Sequence, residues 1–508
     1  MTAVKVFAIL CVVCLLPACN NDSGFQGGSP SAYQSVPCPP ENIAGFPQLD
    51  IPPDVECGYL TVLENRAKPD GRRIRIFVMR APAQSLARRS DPIVFLSGGP
   101  GGAGSFEVAA MVGLGLNANR DVIFVDQRGT HRADPRLPCN TWERFIFDSV
   151  SLPFAADSTS VAENLTIKAC RDELTAAGYD VASYNTTENA ADIAELRTAL
   201  GIEQWNVYGV SYGTKLALSV LRDHPQGIRS VVLDSVSPPT NNIVEVWWTA
   251  PATLFKEIFA ACTAQPSCAA AYPNLETDFY ASVNRLDQTP VVVQRTDESG
   301  QPIAVNIDGF SFVYTLNMIS ERNSVAPIPK LMDDTARGKY EAIADTYLGT
   351  RGLPAFIGLG GSALAFTIFC AEHANLTTAA ATLAASKAAL PAFPERVLKV
   401  QPKQGRLFSM CPIWDVPKAA PSVGARIVSD VPVLIIEGSM DAATAPHWVD
   451  MVTPDLRNSQ VVPFPHTGHS VLGKSACSLS LMSAFLDDPK RVVDSSCVAQ
   501  TLVTFDTP

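Results

Sequence analysis

Residues 205–222 read Trp-Asn-Val-Tyr-Gly-Val-Ser-Tyr-Gly-Thr-Lys-Leu-Ala-Leu-Ser-Val-Leu-Arg, and this stretch decides the fold class. The run at 205–208 predicts a buried strand, and the apolar spacing after position 211 predicts a helix. Between them, residues 209–213 match the pattern G-x-S-x-G. In that pattern, a turn from strand into helix presents the serine at the carboxyl edge of a parallel sheet. The flanking positions must be small, because side chains there would collide with the strand and the helix.

The segments around this stretch repeat the alternation of strand and helix. Strands are predicted at 58–63, 74–79, 93–96, 122–125 and 231–233, and a helix at 188–200. The runs at 93–96 and 122–125 are wholly apolar, which is typical of parallel strands buried on both faces. The sequence therefore predicts an α/β fold with a mostly parallel, doubly wound sheet.

The strand pattern stops near residue 239 and returns close to the carboxyl end of the chain. Residues 239–422 are mainly helical in pattern, whereas 431–436 and 461–462 are again typical of strands. We therefore expect a core made of 51–238 and 423–508, with 239–422 inserted as a helical cap domain. A separate second domain is the alternative, but the return of the sheet pattern favours insertion.

The first 18 residues are predicted to be a signal peptide. Lys5 precedes an apolar run at 6–16, which is shorter than the roughly 20 residues that span a bilayer. The run ends in Leu-Pro-Ala-Cys, which resembles a bacterial lipobox and makes Cys19 the expected lipidation site. Residues 19–50 are then the expected flexible tether. We expect export to the cell envelope, with a lipid anchor in the outer membrane facing the periplasm; an ordinary signal peptide with a chance cysteine is the alternative.

Ten further cysteines follow Cys19. An even number in an exported protein predicts disulfides. Spacing leaves the connectivity open, but pairing neighbours in order closes the shortest loops. The pairs expected on this basis are Cys38–Cys57, Cys139–Cys170, Cys262–Cys268, Cys370–Cys411 and Cys477–Cys497. Structural zinc is the alternative, but these ten cysteines include no CxxC pair, and the sequence has no histidine cluster with zinc spacing.

The net charge argues against nucleic acid as a partner, and the glycine-rich motif argues against a bound nucleotide. The net charge is −11, from 39 Lys and Arg against 50 Asp and Glu, and this disfavours nucleic acid, which is bound by neutralising phosphates. The glycine-rich stretch at 98–104 lacks the Lys-Ser/Thr of a P-loop and carries a proline where the dinucleotide fingerprint has none. We therefore expect no nucleotide, no other cofactor and no metal.

A serine hydroxyl becomes a good nucleophile only when a histidine accepts its proton. With Ser211 as nucleophile, the fold places the acid and then the histidine further along the chain. Of six histidines, His469 is preferred because it follows a glycine between the last apolar run and the final helix. His466, three residues earlier, is the competitor.

The histidine in turn needs an acid that holds its tautomer. Asp441 is preferred, because it lies in a glycine-containing turn directly after the apolar run that ends at 436. Glu437 is within or beside that strand and would be mispositioned. Asp234, which ends the strand after the nucleophile helix, is a second alternative.

Two backbone N–H groups are expected to stabilise the oxyanion. One belongs to Tyr212, the residue after the nucleophile. The other is expected from Gly99, in the loop Gly-Gly-Pro-Gly-Gly-Ala-Gly at 98–104. Gly98 and Gly101 of this loop are expected to border the substrate, because glycine lets the backbone approach closely.

Taken together, these motifs resemble the prolyl aminopeptidase and tripeptidyl aminopeptidase family of α/β hydrolases. The resemblance spans about Cys57 to Cys497 and is carried by Val-Glu-Cys-Gly at 55–58, Val-Leu-Glu-Asn at 62–65, the loop at 98–102, Asp-Gln-Arg-Gly at 126–129, the pentapeptide at 209–213, Asp441 and Gly468-His469. It implies the α/β-hydrolase fold and a serine aminopeptidase that releases N-terminal proline-type residues or short peptides through an acyl-enzyme. Ser97 stands where classical prolyl aminopeptidases have a histidine, and the acid loop at 441–446 is looser than the family pattern. These departures leave the substrate preference open.

The resemblance also implies that carboxylates of the cap bind the free amine of a peptide substrate. Glu372, in Cys-Ala-Glu, is the first candidate and Glu321 the second; a solvated helix face or an ion pair is the alternative for each. A carboxylesterase on the same scaffold and a non-catalytic surface binding protein are the competing functions. A carboxylate pair facing Ser211 would favour the peptidase, and an all-apolar acyl pocket the esterase.

Overall fold

The computed structural model describes residues 32–40, 51–297, 300–322, 324–351, 360–402 and 406–508. The strands are β1 (Ala32–Val36), β2 (Glu56–Leu63), β3 (Arg73–Ala81), β4 (Ile93–Leu96), β5 (Val122–Asp126), β6 (Trp205–Val210), β7 (Ile228–Asp234), β8 (Val291–Thr296), β9 (Pro302–Ile307), β10 (Val433–Gly438) and β11 (Ser459–Phe464). The predicted signal peptide and Cys19 lie outside the described residues.

The helices surround this set of strands. They are α1 (Val108–Gly113), α2 (Asn140–Asp148), α3 (Asp157–Ala176), α4 (Thr186–Ala199), α5 (Tyr212–Asp223), α6 (Ile243–Val246), α7 (Thr249–Ala264), α8 (Pro266–Ala271), α9 (Leu275–Gln288), α10 (Gly309–Arg322), α11 (Ile328–Ala336), α12 (Glu341–Thr350), α13 (Ser362–Glu372), α14 (Ala379–Ala389), α15 (Glu395–Leu398), α16 (Leu407–Trp414) and α17 (Ala476–Asp487). Within the described ranges, no helix is both long and apolar enough to cross a bilayer.

Nine of the described strands form one sheet, in the order β1-β2-β3-β5-β4-β6-β7-β10-β11. From β5 to β11 all neighbours are parallel, whereas β1, β2 and β3 pair antiparallel at one edge. Every residue of β4 and β5 is buried, as expected for strands covered by helices on both faces. The predicted α/β class and the mostly parallel sheet are confirmed.

Strand β1 differs from the sequence prediction, which assigned residues 19–50 to a flexible tether. Ala32–Val36 pairs with β2 from Ala32 opposite Thr61 to Val36 opposite Cys57. Its mostly exposed side chains suit an edge strand, and the Cys38–Cys57 disulfide fixes the chain directly after it.

Residues 239–422 add no strand to this sheet within the described part of the chain. Their helices α7, α9, α10, α11 and α12 share a separate apolar cluster that includes Phe255, Phe279 and Phe312. Two of the strands, β8 and β9, form an antiparallel hairpin that the sequence analysis missed. Helices α13 and α16 instead contribute to the apolar cluster of the main sheet, for example through Phe369 and Trp414.

All five disulfides predicted by pairing neighbouring cysteines are present. They are Cys38–Cys57, Cys139–Cys170, Cys262–Cys268, Cys370–Cys411 and Cys477–Cys497. The fourth bridge joins α13 to α16, the two helices that pack on the main sheet. The bridges therefore fasten elements that lie close in sequence and leave the long-range contacts to the apolar core.

Candidate active site

Ser211 lies on the turn between β6 and α5, with φ 57° and ψ −126°. This backbone conformation is rare for a residue other than glycine, and it persists only where the surrounding structure imposes it. A Cβ at Gly209 would lie 2.2 Å from the carbonyl oxygen of Gly213, and one at Gly213 would lie 2.0 Å from that of Leu96. The close approach of the backbones therefore requires both glycines, as the sequence pattern predicted.

His469 and Asp441 form a buried pair. The Nδ1 of His469 lies 2.7 Å from Oδ2 of Asp441. The backbone N–H groups of Ala443 and Thr444 donate to Oδ1 at 2.7 and 2.9 Å, and the Thr444 hydroxyl donates to Oδ2 at 2.8 Å. Burial alone would raise the pKa of Asp441, but His469 and these hydrogen bonds outweigh it and hold the pKa below its ordinary value. Asp441 is thus an anion held in one orientation.

The competing candidates have other partners. The ring of His466 accepts a hydrogen bond from the backbone of Val503 at 3.3 Å and stacks on Phe505. Glu437 is buried and accepts from the backbone N–H of Val236 at 3.0 Å. Burial, and then the charge of Asp441, raise the pKa of Glu437 well above its ordinary value. The acid that contacts the His469 ring is therefore Asp441, at 2.7 Å, whereas Glu437 and His466 are held by the partners given above.

Asp234, at the end of β7, joins the nucleophile turn to the histidine loop. Its backbone oxygen accepts from the N–H of Ser211 at 2.9 Å. Its carboxylate accepts from the backbone N–H groups of Val471 and Leu472 at 2.7 and 2.9 Å and from the Tyr208 hydroxyl at 3.1 Å. Burial raises the pKa of this carboxyl. Asp234 is therefore a positioning residue between the two loops.

Helix α10 also supports the pair, and no sequence pattern predicted this. The backbone N–H of His469 donates to the carbonyl of Ser320 at 3.2 Å, and the Ser320 hydroxyl donates to the carbonyl of Met440 at 2.5 Å. A Cβ at Gly468 would lie 1.8 Å from that Ser320 carbonyl oxygen. No local signal in the sequence marks Ser320, because its partners lie far along the chain.

The oxyanion donors predicted from sequence lie beside Ser211. Tyr212 is the first residue of α5, and the first N–H groups of a helix have no partner within it. A Cβ at Gly98 would lie 2.8 Å from the Cβ of Ser211, so this loop contacts the nucleophile directly. Gln127 holds the loop by donating to the Ser97 carbonyl at 2.9 Å. Gly101 instead packs against the start of α13, where its carbonyl accepts from the N–H of Gly361 at 3.2 Å.

A narrow cavity adjoins Ser211, Gly99 and Tyr212, with a free volume of about 20 Å³. Its apolar wall includes Trp247, Ile368 and Phe369, and its polar lining includes Lys215 and His373. No acidic side chain lines it among the residues that the structure describes. Across the same ranges, no group of three or more His, Cys, Asp or Glu side chains could hold a metal ion.

The two carboxylates predicted to anchor a substrate amine do not line this cavity. The Oε2 of Glu372 lies 2.7 Å from Nζ of Lys215, and its carboxylate accepts from the N–H and hydroxyl of Thr186 at 2.9 and 2.8 Å. Because these partners already surround the carboxylate, the predicted role of Glu372 as a direct amine anchor does not fit the structure. Glu321 is half-buried at the end of α10, next to Ser320, and is not part of the cavity lining.

The strained serine turn, the buried Asp–His pair and the parallel sheet that positions them together define an α/β-type serine hydrolase. The comparison with known families agrees, since residues 91–475 match the family model described as the alpha/beta hydrolase fold. The chain belongs to this family.

Curated relatives have peptidase names. The chain is 28% identical to a tripeptidyl aminopeptidase of Streptomyces coelicolor over 209 residues, which are 40% of this chain and 38% of that protein. It is 27% identical to serine protease Hip1 of Mycobacterium tuberculosis over 223 residues, 41% of this chain and 40% of that protein. The matches thus span about two fifths of each relative. Among solved structures, proline iminopeptidase from Mycobacterium smegmatis is 16% identical with a TM-score of 0.39, covering 85% of this chain and 98% of that one.

Proposed function

We propose that this chain is a serine aminopeptidase that releases N-terminal proline-type residues or short peptides through an acyl-enzyme. The observation that carries the hydrolytic part is the 2.7 Å contact between His469 Nδ1 and Asp441 Oδ2. Asp234 joins the loop of this histidine to Ser211, which lies on a strained strand–helix turn. Asp441, kept ionised by its hydrogen bonds, holds the proton of His469 on Nδ1. The other ring nitrogen, Nε2, is then available as the base.

In the first half of the reaction, His469 accepts the hydroxyl proton of Ser211 as Oγ attacks the substrate carbonyl. The resulting oxyanion is stabilised by the N–H groups of Tyr212 and Gly99. The imidazolium of His469 then protonates the leaving amine, which departs and leaves the acyl group on Ser211. In the second half, His469 activates a water that releases the acid.

The choice of peptides as substrates rests on the relatives named tripeptidyl aminopeptidase and serine protease. A carboxylesterase is the second candidate, and one observation favours it. Glu372, the expected amine anchor, is neutralised by Lys215 at 2.7 Å, and the described cavity lining contains no carboxylate.

The deciding experiment compares chromogenic proline and tripeptide amides, each with a free and an acetylated N-terminus, with simple 4-nitrophenyl esters. An aminopeptidase cleaves the free-amine amides and rejects their acetylated counterparts, and the length of the released fragment gives the subtype. Hydrolysis of esters alone would assign a carboxylesterase instead. Ser211→Ala is expected to abolish every one of these activities without lowering the unfolding temperature, and full activity in this variant would refute the assignment of the nucleophile.

We further propose that the protein is exported and anchored through lipid on Cys19, in the outer membrane facing the periplasm. The apolar run and lipobox-like sequence before Cys19 support this, as do the five disulfides, since such bonds persist in oxidising compartments. Metabolic labelling with a fatty-acid analogue, in the wild type and in Cys19→Ala, tests the anchor. Equal labelling of both would contradict it.

A further inference from the structure

The two backbone N–H groups that stabilise the oxyanion in the proposed reaction come from segments far apart in the chain. Gly99 lies in the loop after β4, whereas Tyr212 is the first residue of α5. Such donors stabilise an oxyanion only when they are held in place before the reaction. The contacts that hold this loop and this helix at a fixed spacing therefore act on the rate.

Asn189 of α4 has hydrogen bonds toward both segments. Its Nδ2 donates to Oε1 of Gln127 at 3.3 Å. The Nε2 of Gln127 donates at 2.9 Å to the carbonyl of Ser97, the residue directly before the glycine loop. The side chain of Asn189 also has a hydrogen bond with the hydroxyl of Tyr212. Because an amide nitrogen carries two N–H groups, this one side chain can donate in both directions.

The hydroxyl of Tyr212 is held from its other side as well. It lies 3.0 Å from Oγ1 of Thr186, and the Thr186 hydroxyl donates to Oε2 of Glu372 at 2.8 Å. Since threonine has a single hydroxyl proton, Tyr212 must donate to Thr186. Burial, and then the charge of Glu372, raise the pKa of Tyr212, so the phenol keeps the proton that it donates. The Nζ of Lys215 lies 2.7 Å from the same carboxylate oxygen and ends the chain of hydrogen bonds in an ion pair.

The side chains of this network are deeply buried. Gln127, Thr186 and Asn189 are each at most 2% exposed, and hydrogen bonds between such groups are costly to break. Thr186 and Asn189 are three residues apart in α4 and therefore lie on the same face of that helix. One rigid element thus contacts both sides of the oxyanion site.

We propose that Asn189 is a positioning residue that fixes the spacing of the two oxyanion donors. It acts on the glycine loop through Gln127 and on α5 through the phenol of Tyr212. The ion pair of Glu372 and Lys215 holds the far end of the same network. The inference rests on the proposed hydrolytic function, and it gives Glu372 a role other than direct binding of the substrate amine.

The first test replaces Asn189 by leucine, which has a similar volume and cannot donate. Misplacing a reacting group by about 1 Å costs on the order of 100-fold in rate, and losing an oxyanion donor costs about 100- to 1000-fold. Because the contact acts in the transition state, kcat of Asn189→Leu is expected to fall about 10- to 100-fold while KM stays within about twofold. Labelling of Ser211 by a fluorophosphonate, run to completion, counts the active sites. An unchanged kcat, or a change confined to KM, overturns the proposal.

Asn206→Leu is the matched control. Asn206 is 1% exposed, like Asn189, and its Nδ2 donates to Asp91 at 2.9 Å. It lies near the start of β6, at the opposite end of that strand from Ser211. This variant is expected to lose stability and to keep kcat. A fall in kcat equal to that of Asn189→Leu would assign both losses to general loosening of the core and overturn the proposal.

Tyr212→Phe tests the other side of the network. It removes the phenol hydroxyl but leaves the backbone N–H in place, so its effect on kcat comes through the position of that donor. A fall of about tenfold is expected. Combined with Asn189→Leu, it is expected to cost less than the product of the two single losses, because the side chains act in one network. Single losses that simply multiply would overturn the proposal.

A trifluoromethyl ketone with the acyl chain of the best substrate reports on the oxyanion itself. Oγ of Ser211 adds to the ketone carbon, the hydroxyl proton passes to His469, and the carbonyl electron pair becomes the oxyanion. The matching trifluoromethyl carbinol binds without forming one. In Asn189→Leu, the Ki of the ketone is expected to rise by the factor by which kcat/KM falls, and the Ki of the carbinol to stay unchanged. Equal changes in both Ki values, or no change in either, would overturn the proposal.

The choice of substrate separates this inference from the peptidase assignment. The assays use whichever of the amides and esters the wild-type enzyme cleaves best, so a failure of the peptidase proposal leaves the test intact. If the wild type is active and Asn189→Leu keeps its kcat, only the positioning role fails. If the wild type cleaves neither amides nor esters, both proposals fail.

Discussion

Gly468→Ala should inactivate the enzyme by displacing its base. A Cβ at Gly468 would lie 1.8 Å from the Ser320 carbonyl oxygen, whereas ordinary contacts begin at 3.4 Å. The histidine loop and the end of α10 must therefore separate by about 1.6 Å. The neighbouring hydrogen bond from His469 N–H to the same carbonyl, 3.2 Å long, cannot survive that shift.

The expected loss follows from the size of the displacement. Misplacing a reacting group by about 1 Å costs on the order of 100-fold in rate, so we expect kcat/KM to fall at least about 100-fold. Overpacking of this kind also costs roughly 1–3 kcal/mol of stability. The assay is hydrolysis of the best chromogenic substrate, normalised to active sites, together with thermal unfolding.

Gly349→Ala is the matched control. Gly349 lies in α12 with nothing within 4 Å of an added Cβ, and alanine is the better helix former by about 1 kcal/mol. This variant is expected to keep full activity and equal or greater stability. Activity of Gly468→Ala within tenfold of wild type would show that α10 does not fix the position of His469.

Three further predictions concern stability. Because the pKa of Glu437 is raised in the folded state, its protonated form contributes stability at acidic pH that is lost as the pH rises. In urea unfolding across pH 4.5–8, the free energy of unfolding of Glu437→Gln should therefore rise relative to that of wild type by up to about 1.4 kcal/mol per pH unit. A difference that stays constant with pH would contradict this. Arg128 is wholly buried and donates to both oxygens of Asp192 at 2.8 Å, so Arg128→Met should lose about 3–5 kcal/mol in urea unfolding; a loss below 1 kcal/mol would refute the role of that pair. Replacing Cys370 and Cys411 together by serine opens a loop with a sequence separation of 41 and should cost about 4 kcal/mol, and an unchanged unfolding temperature would contradict that value.

The nucleophile turn was predictable because its constraints are local. Gly209 and Gly213 are required by backbone contacts within the turn and with Leu96, so the pentapeptide sequence is enough to predict the geometry of the turn. The choice of His469 over His466 likewise followed from the short segment around each residue, and the structure pairs His469 with Asp441. The disulfides were predictable for the same reason, since each bridges neighbouring cysteines.

The surroundings of Glu372 were not predictable, because its ion pair joins residues far apart in sequence. In the chain, Lys215 reads as an ordinary polar position of an amphipathic helix. Only the packing of α13 against α5 places its ammonium 2.7 Å from Glu372. The sequence around Glu372 therefore indicated an anchor for the substrate amine, whereas in the structure the cation that Glu372 contacts is Lys215 of the same chain.

Two strand errors have a related physical cause. The short edge strand β1 has mostly exposed side chains, so it lacks the apolar signal of a buried strand, and its backbone pairing with β2 leaves no trace in composition. The hairpin of β8 and β9 alternates half-buried and exposed residues in its first strand. This weak alternation lies within a region whose sequence pattern is mainly helical, so the hairpin was not predicted.

Asp234 makes the site depend on two parts of the chain that lie far apart in sequence. One residue at the end of β7 orients Ser211 through its carbonyl and the histidine loop through its carboxylate. A chain that ends before residue 469 contains the serine but lacks the base and the contacts of residues 471 and 472 that fix the base loop. The complete site therefore needs the chain as far as residue 472, and fragments that end before this loop are expected to be inert.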